Sequence, residues 1–332
     1  MSYVNSPEYD DRIGVTILTG FLGSGKTTLL NRLIQGNPEI KFAVIENEFG
    51  ETSIDSELIV GADDSIYELS NGCVCCSLND ELQETLVRLF ESNFDFDHLI
   101  IESTGVADPN AIAASFLSEF CQTHFRLDGT ICLVDAKYID EIRKQVPVAQ
   151  KQLTFADVIL INKVDLIEDN ELAELIERIK SANRFAKVIE TIHGDYGDED
   201  LVNLRAYEIK GLEESLSREN FVQLGGFSVQ HDEIESLTFE FDVDFDPQFF
   251  SYGMNVLLEA SAMDIFRIKG ILAFEGEKHK VIFQSVMSSG VAALGDEWSF
   301  SERRKSRLVI IGKKLDNRFI DDIILNCLVR EG

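Results

Sequence analysis

The stretch Gly20-Phe21-Leu22-Gly23-Ser24-Gly25-Lys26-Thr27 constrains this chain more than any other, because it fits the G-x-x-x-x-G-K-[ST] template. That template works only where an apolar strand feeds the loop and a helix opens at its lysine. Both flanks are present: Val15–Leu18 precedes the loop, and a helical pattern runs from Lys26 to Ile34. Glycines at 20, 23 and 25 let the backbone, with Ser24, wrap a phosphate group, while N–H groups and the helix N-terminus supply positive potential. Lys26 is then expected to contact the β- and γ-phosphates, and Thr27 to place its hydroxyl on Mg²⁺. An incidental glycine-rich turn would not bring the strand and the helix with it.

A loop of this kind belongs to an α/β domain with a mostly parallel sheet. The alternation along the first part of the chain agrees. Apolar strands are expected at Gly14–Leu18, Phe42–Ile45, His98–Ile101, Thr130–Val134, Val158–Ile161 and Lys187–Thr191, with helices at Lys26–Ile34, Asp80–Phe90 and Glu171–Ser181. Residues 192–232 are polar and glycine-bearing and read as connecting structure. From Ile234 onward, strands with one polar face alternate with two helical stretches, the pattern of a smaller α+β domain with an antiparallel sheet. The expected division is a P-loop domain at 1–205, a linker at 206–232 and a C-terminal domain at 233–332.

The net charge of −29 argues against nucleic acid and anionic membrane surfaces as partners, since either would bring like charges together. Met1–Asp11 has neither the basic start nor the apolar core of a signal peptide, and no apolar run approaches the ~20 residues of a membrane span. The expected location is the cytoplasm, where thiols stay reduced. Cys121, Cys132 and Cys327 sit in apolar surroundings and are expected to be buried.

Asn162-Lys163-Val164-Asp165 follows the strand Val158–Ile161. A buried carboxylate at Asp165 would accept from the N1–H and N2–H₂ edge of guanine, a donor pair that adenine lacks. Asn162 would brace the two loops and the Lys163 stem would lie over the ring, which makes GTP the expected nucleotide. Ile101-Glu102-Ser103-Thr104-Gly105 ends another strand, where Glu102 could hold Mg²⁺ through water and Gly105 could sense the γ-phosphate. The bland readings are a helix-capping Asp and a strand-end Glu in solvent. Lys26, Thr27 and Glu102 are the catalytic candidates. No residue stands out as a base for the attacking water, so slow hydrolysis is expected.

Cys73-Val74-Cys75-Cys76 places three thiols in four residues of a polar stretch. Two or three thiolates with one further ligand suit tetrahedral Zn²⁺. A redox switch and a packing accident are the alternatives, although a vicinal Cys75–Cys76 disulfide would be strained. Glu46-Asn47-Glu48-Phe49-Gly50-Glu51 supplies carboxylates upstream, suited to a second metal or simply to a solvated loop.

Taken together, Gly20–Thr28, Asn71–Cys76, Glu102–Pro109 and Asn162–Asp165 resemble the CobW-type GTPases. Val44–Glu51 is most similar to their YjiA-like branch. Phe266–Gly270, Phe283–Val286, Trp298 and Leu308–Gly312 resemble that family's C-terminal domain, so the resemblance covers nearly the whole chain. It implies a GTP-dependent metal chaperone for zinc or cobalt that delivers to a client apo-metalloprotein. Cys73, Cys75 and Cys76 would be metal ligands, with Glu46 and Glu51 auxiliary. Gly20, Gly23, Ser24, Gly25, Lys26, Thr27, Thr28, Asn162, Lys163 and Asp165 would hold GTP.

Two departures qualify the resemblance. The histidine-rich stretch of cobalamin-pathway members is missing, with only five scattered histidines, and Met1–Arg12 has no Cys-Pro docking motif. Homodimerisation is left open. A GTP-timed partner-binding factor without metal, or a thiol redox sensor, remain as alternatives. The run Arg303, Arg304, Lys305, Arg307 is expected to pair with nearby carboxylates, and Phe245, Phe249, Phe250 and Tyr252 to pack in a core or between domains.

Overall fold

The computed structural model describes residues 11–47, 66–70, 78–92, 95–105, 107–116, 118–206, 229–231, 234–261, 264–286, 289–300 and 302–329. The described parts of Asp11–Lys180 and Ala186–Arg205 gather into one compact unit. Ser181–Phe185 and the described part of Ala206–Gly332 form another.

The first unit is built on seven strands: β1 (Ile13–Gly20), β2 (Phe42–Asn47), β3 (Ile66–Ser70), β4 (His98–Ser103), β5 (Phe125–Asp135), β6 (Val158–Asn162) and β7 (Lys187–Thr191). They lie in the order β3-β2-β4-β1-β5-β6-β7, each neighbouring pair parallel. The helices are α1 (Lys26–Gly36), α2 (Leu78–Glu91), α3 (Pro109–Ser115), α4 (Glu119–His124), α5 (Ile139–Gln145), α6 (Pro147–Phe155) and α7 (Asp169–Ala182). Strands buried on both faces read as unbroken apolar runs, and alternate residues divide between two cores. Ile131, Leu133, Val158 and Leu160 join Leu29, Leu30 and Leu33 of α1. Cys132, Val134, Ile159 and Ile161 join Leu153 of α6 and Leu175 and Ile179 of α7. The α/β architecture expected from the sequence is the one the chain adopts.

Register brings the strand ends to a common edge. Glu102 lies beside Leu18 on one side and Glu46 on the other, Asn47 beside Ser103, Gly20 beside Leu133, and Asn162 between Asp135 and Thr191. Ligands of open parallel sheets bind at this carboxyl edge. One expectation needs correcting. Residues 192–206 are not merely connecting structure, because Leu201 and Val202 are buried and Leu204 packs beside them against the α1 core. Leu204 and Arg205 N–H groups donate to the fully buried carboxylate of Asp128, at 2.7 and 3.1 Å.

Under the sheet, His98 opens β4 and accepts or donates one bond, at 2.9 Å between Nε2 and the Thr16 hydroxyl. Burial, aided by the Arg126 charge, pushes its pKa down from 6.5 to about 4. The unfolded chain therefore binds this proton first as pH falls. The contribution to stability is complete above pH 6.5 and is lost as pH falls toward 4. Denaturant unfolding at pH 7 and pH 5 should show about 2 kcal/mol of pH-dependent loss that His98→Gln lacks. Equal losses in both proteins would rule this out.

The second unit contains β8 (Val229–His231), β9 (Ile234–Phe241), β10 (Ile265–Leu272), β11 (His279–Val286), β12 (Ser289–Glu297) and β13 (Ser306–Lys313), with α8 (Pro247–Ala260) and α9 (Asn317–Asn326). The sheet runs β12-β11-β10-β13-β9-β8, antiparallel throughout. Each helix starts on an aspartate cap: Asp246 accepts from the N–H groups of Gln248 and Phe249, and Asp316 from that of Phe319. The core joins Leu237, Leu308 and Ile310 of the sheet to Met254 and Leu257 of α8 and Ile320 and Ile324 of α9. Phe250 sits at its centre, edge-on to Phe245, Phe274 and Phe283.

Two sequence readings meet different outcomes here. The basic run does pair with carboxylates: Arg303 with Asp242 at 3.0 Å, Arg304 with Asp244 at 2.8 Å, and Lys305 and Arg307 with Glu240. Phe245 and Phe250 are core, but Phe249 and Tyr252 are not, being 62% and 71% exposed on the outer side of α8. They line a groove of about 740 Å³ with Val256, Phe319, Ile323 and Leu328.

Candidate functional site

The cradle forms where β1 gives way to α1. Ser24 N–H donates to the Phe21 carbonyl at 3.1 Å, closing the turn. Gly25 then enters the helix at φ 107°, where a Cβ would lie 2.5 Å from Asn162 Nδ2, so both backbone sign and space demand glycine. Lys26 is buried at the helix start, its ammonium donating to the Gly20 carbonyl at 3.0 Å. The first turn of α1 carries no acidic residue, which leaves its N-terminal potential unopposed. The Ser24 hydroxyl is buried and has no hydrogen-bond partner within the protein. Thr27 is half-buried, while Gly23 and Thr28 are exposed.

Opposite the cradle, Asn162 at the end of β6 is the brace that the sequence suggested. Its amide donates to the Ser24 carbonyl at 2.8 Å, and its oxygen accepts from the Gly194 N–H at 3.0 Å and the Thr191 hydroxyl at 3.2 Å. Lys163 takes the left-handed conformation (φ 63°) and ties the loops together, donating to the Gly23 carbonyl and to Asp135, each at 2.7 Å. Asp165 differs from expectation. It is exposed, on the single turn Val164–Leu166, so only a bound base could remove its carboxylate from water.

The third wall is the end of β4. Glu102 is half-buried, not a strand-end carboxylate in open solvent. The Ser103 and Thr104 hydroxyls are buried without hydrogen-bond partners in the protein. Gly105 approaches the phosphate loop so closely that a Cβ would lie 2.6 Å from the Leu22 nitrogen. Orphaned hydroxyls on two walls and an unopposed helix N-terminus fit an anionic ligand with bound Mg²⁺. Asp135, Thr191 and Gly194 were not singled out from sequence, because their contribution is a bond to another site residue and no motif announces it.

Of the thiol set, Cys73, Cys75, Cys76 and Glu51 lie outside the described residues. The chain carrying the thiols leaves the sheet at Ser70, which pairs with Glu46, and re-enters the described structure at Leu78. Among the described residues no group of three or more His, Cys, Asp and Glu side chains could hold a metal ion. Cys121, Cys132 and Cys327 are buried free thiols, as expected. Burial pushes Cys132 up to about 12 and Cys327 to about 11, and raises Cys121.

This sheet edge and its loop are those of a P-loop nucleotide-binding protein. Residues 14–190 match the CobW/HypB/UreG nucleotide-binding domain, and residues 234–328 match the C-terminal domain of cobalamin synthesis protein cobW. The zinc chaperone YjiA of Escherichia coli (strain K12) is 38% identical over 310 residues, or 91% of this chain and 95% of that protein. A zinc chaperone CobW from a Sinorhizobium species is 28% identical over 330 residues, or 91% and 93%. The crystal structure of Zn(II)-bound YjiA GTPase from E. coli matches with a TM-score of 0.71 at 33% identity, covering 97% of this chain and 100% of that one. The chain belongs to the CobW family.

Proposed function

We propose that this protein is a GTP-binding, slowly GTP-hydrolysing metallochaperone that carries zinc, with cobalt as the other candidate, on Cys73, Cys75 and Cys76. It delivers the metal to a client apo-metalloprotein in the cytoplasm. One observation carries the reading: a single sheet edge gathers the phosphate cradle, the base-side loop and the ends of β2, β3 and β4, with Glu46 between Ser70, after which the thiol segment follows in sequence, and Glu102. The zinc-chaperone names of the relatives support the cargo. Among the described residues no helix is long and apolar enough to cross a membrane. Residues 1–205 serve as the nucleotide unit, 206–232 as a linker and 233–332 as the C-terminal unit.

In the working cycle the cradle N–H groups and Lys26 hold the triphosphate, and Asn162 keeps the base loop locked to it. Asp165 accepts from the guanine edge. Thr27 and, through water, Glu102 would hold Mg²⁺, which supplies charge neutralisation between the β- and γ-phosphates. Glu46 and Glu51 are auxiliary metal ligands on the segment that responds to nucleotide. Bound GTP changes zinc affinity because β3, which precedes the thiol segment in sequence, and β4, which ends in the γ-phosphate wall, both pair with β2.

Zinc titration with GDP and with a non-hydrolysable GTP analogue tests this. The affinities should differ at least about fivefold, the lower range of allosteric coupling. Equal affinities would remove the coupling. The triple replacement of Cys73, Cys75 and Cys76 by Ser should weaken zinc by more than the 10–100-fold typically lost when only a group hydrogen-bonded to a ligand is changed. Retained affinity would remove the thiol site. A second reading, partner docking timed by GTP without metal, draws on the exposed Phe249 and Tyr252 groove. It expects the triple variant to keep client binding and maturation.

A further inference from the structure

We infer that Gln152 is the positioning residue of the γ-phosphate wall, the group that lets this site tell GTP from GDP. It lies on α6, outside every nucleotide motif, and its side chain is 1% exposed. Its amide nitrogen donates twice, to the Gly105 carbonyl at 3.2 Å and the Ala107 carbonyl at 3.1 Å. Both partners are acceptors, so only the NH₂ end of the amide can face them. The two bonds use both amide hydrogens and straddle the turn closed by the Ala107 N–H on the Thr104 carbonyl at 3.1 Å.

That turn is what must be placed accurately. Gly105 lies against Leu22 of the phosphate loop with no room for a Cβ, and the partnerless Thr104 hydroxyl is its neighbour. Next along α6, Lys151 pairs at 2.8 Å with Asp108, whose carboxylate caps α3 through the Asn110 N–H at 3.0 Å. Lys151 thus only steadies the α3 end of the segment through a part-exposed ion pair of small worth, while Gln152 holds its end at the γ-phosphate wall. With the Gly105 and Ala107 carbonyls turned to Gln152, the Gly105 N–H is left for an oxygen that only the triphosphate provides. GDP lacks the phosphate group that would meet this wall, so Gln152 would act on the difference between the two nucleotides.

The inference rests on the nucleotide reading above, and the experiment separates them. Affinities for fluorescent GDP and a fluorescent non-hydrolysable GTP analogue are measured for the wild type, Gln152→Met, Gln152→Glu and Lys151→Ala. Gln152→Met keeps the volume and loses both donors, and Gln152→Glu sets a carboxylate against two carbonyls. Both should bind the analogue about tenfold more weakly and GDP within about twofold of wild type. Lys151→Ala, which leaves both amide bonds in place, should keep the wild-type ratio. Parallel loss of both nucleotides, or an unchanged ratio, overturns the positioning role while leaving the nucleotide reading intact. A wild type that binds no guanine nucleotide overturns both. Should neither Gln152 variant fold, hydrogen exchange in the wild type decides: amides at 103–108 should exchange at least about threefold more slowly with the analogue than with GDP, and equal rates overturn the inference.

Discussion

Lys26→Ala should weaken the GTP analogue by about 100-fold or more and bring single-turnover hydrolysis to background, with the fold retained. The size follows from what the ammonium does. It is a buried charge already turned inward to the Gly20 carbonyl at 3.0 Å, next to a helix start without acidic residues. Charge-assisted bonds to phosphate in such a low-dielectric setting are among the strongest a protein makes, and losing a preorganised electrostatic donor commonly costs 10²–10³ in rate. Alanine at position 26 is a good helix former, so circular dichroism and the unfolding midpoint should barely move. Hydrolysis within tenfold of wild type would mean that Lys26 does not hold the transferred phosphate.

Asp165→Asn should cost GTP about 100-fold and admit xanthosine triphosphate in its place. Guanine offers N1–H and N2–H₂, both donors, to a carboxylate. Xanthine keeps N1–H but carries a carbonyl at C2, which the Asn NH₂ group can meet while its oxygen accepts from N1–H. Discrimination of this kind reaches 10²–10⁵ when the mismatched group leaves a polar atom unpaired. Because Asp165 is exposed, the proposed selectivity would develop only as a base covers it. Asp165→Ala should lose GTP without gaining the xanthine nucleotide. Unaltered preference for GTP over ATP in Asp165→Ala would refute the base-recognition role. Both measurements need only nucleotide competition, and neither depends on the metal.

The sheet and its cradle were legible because their signals are local. Apolar runs of four or five residues, a glycine loop and a helical stripe each specify one element, and the strands from Ile13 to Thr191 fell within two residues of expectation apart from β3, which was missed, and β5, which starts at Phe125 and not at Thr130. What escaped was of two kinds. Short or weakly coded elements were missed, such as β12, whose Ser-Gly-Val-Ala-Ala-Leu-Gly run has a single β-branched residue, Val291, among small ones. Gly290 is there because a Cβ would lie 2.6 Å from the Phe283 ring, a tertiary demand with no local trace. The other kind was long-range bonding: Gln152, Asp135 and Thr191 serve the site only through atoms far away in sequence. The exposure of Phe249 and Tyr252 was likewise unreadable, since a helical stripe does not say which face lacks a neighbour.

The burial of Cys121, Cys132 and Cys327 has a practical meaning for a protein that handles a soft metal. Their thiols are held protonated well above neutral pH, with Cys132 at about 12 and Cys327 at about 11, so they offer zinc no ligand and an oxidant no thiolate. Six cysteines are present, and these three are silent in the folded state. Thiol reactivity in the native protein at neutral pH therefore reports on Cys73, Cys75 and Cys76 alone. On the proposed thiol site, alkylation rate would follow zinc loading and release without removing a single background cysteine.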